Sequence, residues 1–191
     1  MSTAERGSDQ DQIWTYYLRS LETLDLSFAA LQRAETISLP QRTSQFRGLS
    51  ARDLDRVFRE IRQELELEVC LALLASFEVI LRDDFDARVH SRKSGPKALT
   101  DAFRALDRRT QEARRRGPAL DQLLTEWKVA FPSASNTIGA FGVVVVNFRN
   151  WLAHGRSWSP KGHGGYDTTR VIKATQAVEQ AIPEFPRLTD W

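Results

Sequence analysis

The chain has 191 residues, of which 41% are hydrophobic and 27% are charged. This composition is ordinary for one globular domain and excludes a wholly disordered protein. The formal charge of +2 at pH 7 is too small to attract a polyanion through overall charge, so any nucleic-acid contact must come from local patches.

Cysteine and histidine are scarce in this sequence. The single cysteine, Cys70, lies in an apolar stretch, so we expect a buried and inert thiol and no intramolecular disulfide. The histidines His90, His154 and His163 have no metal-ligand spacing, and we expect neither a metal nor another cofactor. An apolar leader and an apolar run of about 18 residues are both lacking, which predicts a cytoplasmic protein without a membrane segment.

The first half of the chain has helical periodicity. Residues 1–9 are polar and predict a disordered tail, followed by a single domain over 10–191. Ser50 and Asp53 have the spacing of a helix start, and a long helix is predicted over 51–91. Its second half is apolar almost all round, so it should be the central element. An earlier helix is predicted from apolar residues spaced by three and four: Ile13, Tyr17, Leu21, Leu24, Phe28 and Leu31.

The second half predicts further helices separated by proline and glycine. The segment 138–153 contains four consecutive valines, which favour a strand. We predict a helix there because the apolar run is too long for an average strand and no partner strand is visible. Residues 155–166 predict a loop. The remaining helices are expected at about 97–115, 118–130 and 167–182. The fold class is therefore all-α, an antiparallel bundle of about five to six helices.

Residues 149–154 carry the strongest functional pattern. Asn147, Asn150 and His154 are spaced by three and four residues and share one helix face. Arg149 points roughly 140° away from His154 and converges with it only if the helix ends at His154, with Gly155 in the capping position. A histidine there can transfer a proton, and an arginine can hold a phosphate. On spacing alone, a histidine that caps carbonyls and an arginine paired with an acidic neighbour are favoured over a catalytic pair.

The six residues Arg149-Asn-Trp-Leu-Ala-His154 resemble the Arg-x4–6-His signature of the HEPN superfamily, the higher eukaryotes and prokaryotes nucleotide-binding domains. The asparagine directly after the arginine resembles a frequent form of that motif. The helix that ends in Ser76–Asp84, the helix that contains Trp127 and the loop with Trp158 also resemble uncharacterised bacterial HEPN proteins of this size. The resemblance covers most of residues 12–182.

The resemblance implies an HEPN-like helical bundle with metal-independent endoribonuclease activity. Such enzymes cleave single-stranded RNA by attack of the 2′-hydroxyl on the adjacent phosphate, which leaves a 2′,3′-cyclic phosphate. Carried over, His154 is the general acid/base, Arg149 neutralises the phosphorane, and Asn150 orients the histidine or the phosphate. The family also implies a homodimer with a composite active site, acting as a toxin or antiviral-defence effector.

The family resemblance leaves a second function open. The alternative is a non-catalytic HEPN module that binds RNA or nucleotide, or a helical adaptor subunit of a larger defence complex. An antitoxin or a defence-system protein is the expected protein partner. Toxins controlled by a nucleotidyltransferase often carry a tyrosine two residues after the histidine, where this chain has Arg156. The resemblance therefore does not extend to that mode of regulation.

Further residues are candidates for supporting roles. Glu78, nearly alone among apolar neighbours, could pair with Arg149 or His154, or with Arg82 one turn on. Asn147 extends the polar stripe. The loop residues Arg156, Trp158 and Lys161 could bind RNA, although Trp158 could instead fix the loop to the bundle. A basic run binds an RNA backbone or is simply a solvated helix end: Arg104, Arg108, Arg109, Arg114, Arg115 and Arg116.

Overall fold

The computed structural model of the chain describes residues 3–33, 46, 48–90, 95–114, 117–154 and 167–188, with side chains from Gln10 onward. The helices are α1 Thr3–Arg33, α2 Ala51–His90, α3 Lys97–Glu112, α4 Leu120–Ala130, α5 Ser135–Gly142, α6 Arg149–Ala153 and α7 Thr168–Ala181. A 3₁₀ turn at Pro132–Ala134 precedes α5, and a π-helical segment at Val143–Phe148 joins α5 to α6. No strand occurs in these ranges, which confirms the predicted all-α helical bundle.

Helices α1 and α2 form a long antiparallel hairpin. The Gln10 side chain donates to Ser76 Oγ at 3.2 Å, and farther along α1 the Phe28 and Phe58 rings lie 5.0 Å apart. The predicted helix face of α1 packs on α2 and the core, with Tyr17 buried. The α1 backbone begins at Thr3, which differs from the tail expected at 1–9. Once packed turns have formed, each further residue adds a hydrogen bond at little cost, so a helix can extend into a polar segment.

Helix α2 is the central element, as its apolar second half predicts. It packs against α1, α3, α4, α6 and α7. Its start follows the predicted cap, because the Ser50 hydroxyl accepts from the Asp53 amide at 3.1 Å and donates to the Asp53 carboxylate at 2.6 Å. Cys70 is fully buried within it, and burial, with the Glu66 and Asp167 carboxylates nearby, raises the pKa of its thiol to about 12. A thiol in that state is an inert core group, as expected.

Helix α7 begins against α2. Asp167 is its N-cap and accepts from the Arg170 amide at 2.7 Å, close to the helix start that the sequence predicts. The Thr168 hydroxyl donates to Glu66 of α2 at 3.0 Å, which fixes the first turn of α7 to the central helix. Burial and the Glu66 carboxylate also raise the pKa of the neighbouring Tyr17. The start of α7 is therefore held by both a local cap and a tertiary contact.

An aromatic cluster around Trp127 closes the other end of the core. The Trp127 ring lies 4.9 Å from Phe185, beyond the end of α7, and the Arg88 guanidinium lies 5.1 Å above it. Arg88 is buried and donates to Asp84 at 2.8 Å and to the Glu184 carbonyl at 3.0 Å. These contacts fix the segment after α7 to α2.

Two features of the region from α4 to α6 differ from a straight run of helices. Phe131 and Pro132 separate α4 from the following helical stretch, which is bent from it by 120°. Within the described ranges no single helix is long and apolar enough to cross a membrane, and only this bent pair satisfies the length and composition requirements together. The predicted helix over 138–153 is confirmed, but it contains the π-helical segment, which the sequence did not predict.

Candidate functional site

The end of α6 lies where the motif predicts it. His154 has φ −99° and ψ 26°, outside helical geometry, and its amide donates to the Asn150 carbonyl at 3.0 Å. Phe148 and Leu152 are buried and attach α6 to the core. The His154 side chain is exposed at the helix terminus. A helix that stops at this residue brings its final side chain beyond the packed core. Gly155, the predicted cap, lies outside the described residues.

The Arg149 guanidinium is held by two neighbours. Its Nη2 atom lies 2.9 Å from Glu78 Oε2 on α2, and its Nη1 atom donates to Asn150 Oδ1 at 3.2 Å. The Arg149 side chain is 36% exposed, whereas Glu78 is 17% exposed. A mostly buried carboxylate therefore orients a cation that solvent can still reach.

Glu78 binds a second arginine with its other oxygen. Arg82, one turn along α2, donates through Nε at 3.0 Å and through Nη2 at 2.8 Å to Glu78 Oε1. Arg82 Nη1 also donates to the Pro118 carbonyl at 2.9 Å, just before α4. The two pairings considered for Glu78 with arginine thus form together. Two guanidinium groups share one carboxylate, which leaves one net positive charge at this place.

Asn150 links the arginine to the histidine. Its side-chain oxygen accepts from Arg149, and its carbonyl accepts from the His154 amide. Side-chain contacts therefore run from Glu78 through Arg149 to Asn150, and the helical backbone hydrogen bond joins Asn150 to the His154 amide. We call these four residues the motif cluster. It combines an oriented cation, an amide and an accessible imidazole, which are the groups that can bind a phosphate and transfer a proton.

The polar stripe lies on an accessible side of the helical stretch. Asn147 and His154 are exposed, and Asn150 is half-buried. The π-helical segment Val143–Phe148 carries Asn147 and closes wider turns than an α-helix. Such a segment adds the equivalent of one residue and rotates the helical turns after it by roughly 100°. The orientation of α6 therefore depends on this segment as well as on the spacing of the motif.

Several predicted RNA-binding residues lie outside the described part of the chain, namely Arg115, Arg116, Arg156, Trp158 and Lys161. Of the rest of the basic run, Arg104 and Arg108 are exposed on α3, whereas Arg109 donates to Glu126 of α4 at 3.1 Å. The described residues contain no group of three or more histidine, cysteine or carboxylate side chains arranged to hold a metal ion.

Sequence reasoning missed a groove at the start of the π-helical segment. It has a volume of about 600 Å³ and lies between the junction of α5 with the π-helical segment and the first turns of α7. Arg170 and Lys173 of α7 line it together with apolar side chains that include Val143 and Ala174. No local signal indicates this groove, because its two walls meet only through tertiary packing. The sequence shows only that Arg170 and Lys173 are three residues apart on α7, which by itself does not indicate a groove.

Comparison of the chain with protein-family models, with curated proteins and with solved structures gives no significant match.

Proposed function

We propose that the protein is a metal-independent endoribonuclease that cleaves single-stranded RNA at the motif cluster. The observation that carries the proposal is an Arg149 guanidinium held by Glu78 and Asn150, five residues before an exposed His154 at the end of α6. A cation that a carboxylate already holds loses little conformational entropy when a phosphate binds. Such preorganised charge is the main source of transition-state stabilisation in phosphate chemistry. The resemblance of residues 149–154 to the HEPN signature supports the same chemistry.

The reaction needs only a base, an acid and a cation. One imidazole accepts the proton of the 2′-hydroxyl as that oxygen attacks the adjacent phosphorus. The bond from phosphorus to the 5′-oxygen breaks, and a protonated imidazole donates a proton to the leaving oxygen. Arg149 neutralises the charge that develops on the phosphorane oxygens. The products are a 2′,3′-cyclic phosphate and a free 5′-hydroxyl.

A homodimer would supply both proton-transfer groups. If two copies approach through the ends of their α6 helices, His154 of each lies beside the same phosphate, one as base and one as acid. The exposure of His154 at the end of α6 is compatible with such an approach. In the cell, this activity suits a cytoplasmic toxin or antiviral-defence effector that is restrained by an antitoxin or another partner protein.

A non-catalytic RNA-binding or adaptor role is the second candidate. It is favoured by the pairing of Arg149 with Glu78, since an arginine neutralised by a carboxylate can be a structural group. The residual charge contributed by Arg82 argues for the enzyme, because one positive charge remains after both pairings.

The test is incubation of purified protein with end-labelled single-stranded RNA in EDTA, followed by analysis of the product ends. We expect cyclic-phosphate products from the native chain and a loss of about 10²–10⁴-fold in rate in His154→Ala, the usual contribution of a general acid or base. Arg149→Ala should lose cleavage as well. His90→Ala, which removes an exposed histidine at the end of α2, and Arg59→Ala, which removes an arginine paired with Asp55, are matched controls and should cleave normally. Full activity of folded His154→Ala would exclude the mechanism, and RNA binding without cleavage by the native chain would establish the second candidate.

A further inference from the structure

The groove between α5 and α7 has the chemistry of a nucleotide site. Its walls carry the small apolar side chains Ala140, Val143, Val144 and Ala174, and Arg170 and Lys173 lie three residues apart on α7. Apolar walls with a few convergent polar groups are typical of ligand pockets. With the carboxylate of Asp167 also lining the groove, its charged residues sum to one positive charge. A nucleobase fits the walls, and a phosphodiester fits the cations.

The groove and the motif cluster lie on the same helical stretch, and both include exposed residues. Ala140, Val143, Asn147 and His154 are all exposed and follow one another at steps of three, four and seven residues. Val143 and His154 are eleven residues apart, which corresponds to about 16 Å along a helix axis. A separation of that size is within the reach of a single RNA strand of a few nucleotides.

We propose that this groove binds a nucleotide of the RNA strand whose scissile phosphate lies at Arg149 and His154. The base rests against the apolar walls, and the flanking phosphates contact Arg170 and Lys173. The proposal rests on the proposed function for the identity of the ligand as RNA. It adds a second contact region that favours longer strands over dinucleotides. It also explains why two cations flank an apolar groove away from the motif.

The test measures RNA binding and RNA cleavage separately. Binding of a twelve-nucleotide single strand is measured in the His154→Ala background, with and without Arg170→Glu and Lys173→Glu. Loss of two phosphate contacts should weaken binding and lower the slope of log affinity against log salt by about 1.4, at about 0.7 per contact for single strands. Lys173→Glu alone should lower it by about 0.7 and serves if the double variant does not fold. A glutamate at position 170 is compatible with the helix start, where acidic groups are favourable.

The control variant carries Arg52→Glu and Arg59→Glu. Both arginines are exposed on α2, and these substitutions change the net charge by the same amount. An equal loss of RNA affinity in this control would mean that overall charge explains the effect, and the groove would be refuted. Val143→Glu, which places a carboxylate on the apolar wall, should weaken binding of the twelve-nucleotide strand as well.

Failure of the groove can be distinguished from failure of the enzyme. If the native chain cleaves RNA, the groove variants should cleave a dinucleotide normally and the long strand poorly. Equal losses on both substrates would overturn the proposal, because they would indicate a disturbed motif cluster. If no cleavage is found, groove-dependent binding of the long strand still supports an RNA site. Competition by a free mononucleotide as effective as the long strand would instead assign the groove to free nucleotides and overturn the RNA proposal.

Discussion

The substitution Glu78→Gln tests whether one carboxylate sets the geometry of the motif cluster. It preserves size and shape but removes the charge and replaces one oxygen by an amide NH₂. In the native chain Arg82 donates twice to one oxygen, and Arg149 lies 2.9 Å from the other. The amide must turn its NH₂ group toward one of the two guanidinium groups. A guanidinium has only donors and cannot accept from that NH₂ group. At least one pairing is therefore lost, and the local charge rises by one.

The expected loss of stability depends on the exposure of the three side chains. Hydrogen bonds to charged groups contribute about 1.5–3 kcal/mol in well-buried places. Arg82 is 40% exposed and Arg149 is 36% exposed, so solvent screens both pairs, although Glu78 itself is only 17% exposed. Each pair should then contribute about 0.5–1 kcal/mol, and Glu78→Gln should lower the free energy of unfolding by about 1–2 kcal/mol.

Urea denaturation of a double-mutant cycle measures each pairing separately. The cycle combines Glu78→Gln with Arg149→Met and, independently, with Arg82→Met. We expect a coupling of about 0.5–1 kcal/mol in each cycle. The matched control is Glu126→Gln, because Glu126 is 18% exposed and pairs with an exposed Arg109 on another surface. This control removes one pair, so it should cost about 0.5–1 kcal/mol of unfolding free energy without an effect on RNA cleavage.

The same variant links geometry to activity. A misplaced guanidinium should lower kcat on RNA by about tenfold or more, because a displacement of about 1 Å is enough to weaken a positioned catalytic group. Zero coupling between positions 78 and 149 would refute the pairing on which the cluster depends. Normal cleavage by Glu78→Gln despite a measured coupling would show that the pairing is structural only.

Two further predictions concern the core. Gly95→Ala should lower the free energy of unfolding by about 1–3 kcal/mol, because a Cβ there would lie 2.3 Å from Nη1 of Arg88, which is 1% exposed and held by Asp84 and Glu184. The same substitution at Gly139 should stabilise the protein by up to about 1 kcal/mol, because its Cβ would make only ordinary contacts inside a helix. Equal effects at the two glycines in thermal or urea unfolding would contradict the close approach at Arg88. Cys70 should not react with a thiol reagent near pH 8 in the folded protein and should react on unfolding, because burial raises its pKa to about 12. Its protonated form is favoured by folding, so this stabilising effect is lost as pH rises from about 9 toward 12. Rapid labelling of the native chain would show that the thiol is accessible.

Local sequence signals account for most of the helices. The cap at Ser50 forms as predicted, and Asp167 caps the last predicted helix in the same way, because a side-chain oxygen and an amide three residues away need no tertiary contact. The break at Pro132 is equally local. The sequence predicts the end of α3 near 115, whereas the helix ends at Glu112, since Arg114 adopts a left-handed backbone with φ 52° that no residue preference announces.

The sequence limits the partners of Glu78 to a few candidates but does not show which of them bind it. Arg82 lies four residues away on the same helix, so helix spacing predicts its pairing with Glu78. Arg149 lies 71 residues away, and its approach depends on how α6 packs against α2. From spacing alone we consider these pairings as alternatives, because we count the carboxylate as a single acceptor. In three dimensions its two oxygens accept from different sides.

The π-helical segment explains why the motif could not be oriented from its spacing. An uninterrupted α-helix through residues 143–153 would rotate Arg149 by roughly 100° relative to the packed residues before the segment. After this segment, Phe148 and Leu152, which are four residues apart, face the core, and Arg149 points to Glu78 on α2. Valine has a low helix propensity, so four successive valines hold a regular α-helix weakly. Val144 and Val145 are buried, and their core contacts stabilise the distorted segment. The packing of the valines and the direction of the Arg149 side chain therefore both depend on the π-helical segment. Glu78 on α2 then holds the Arg149 guanidinium in place.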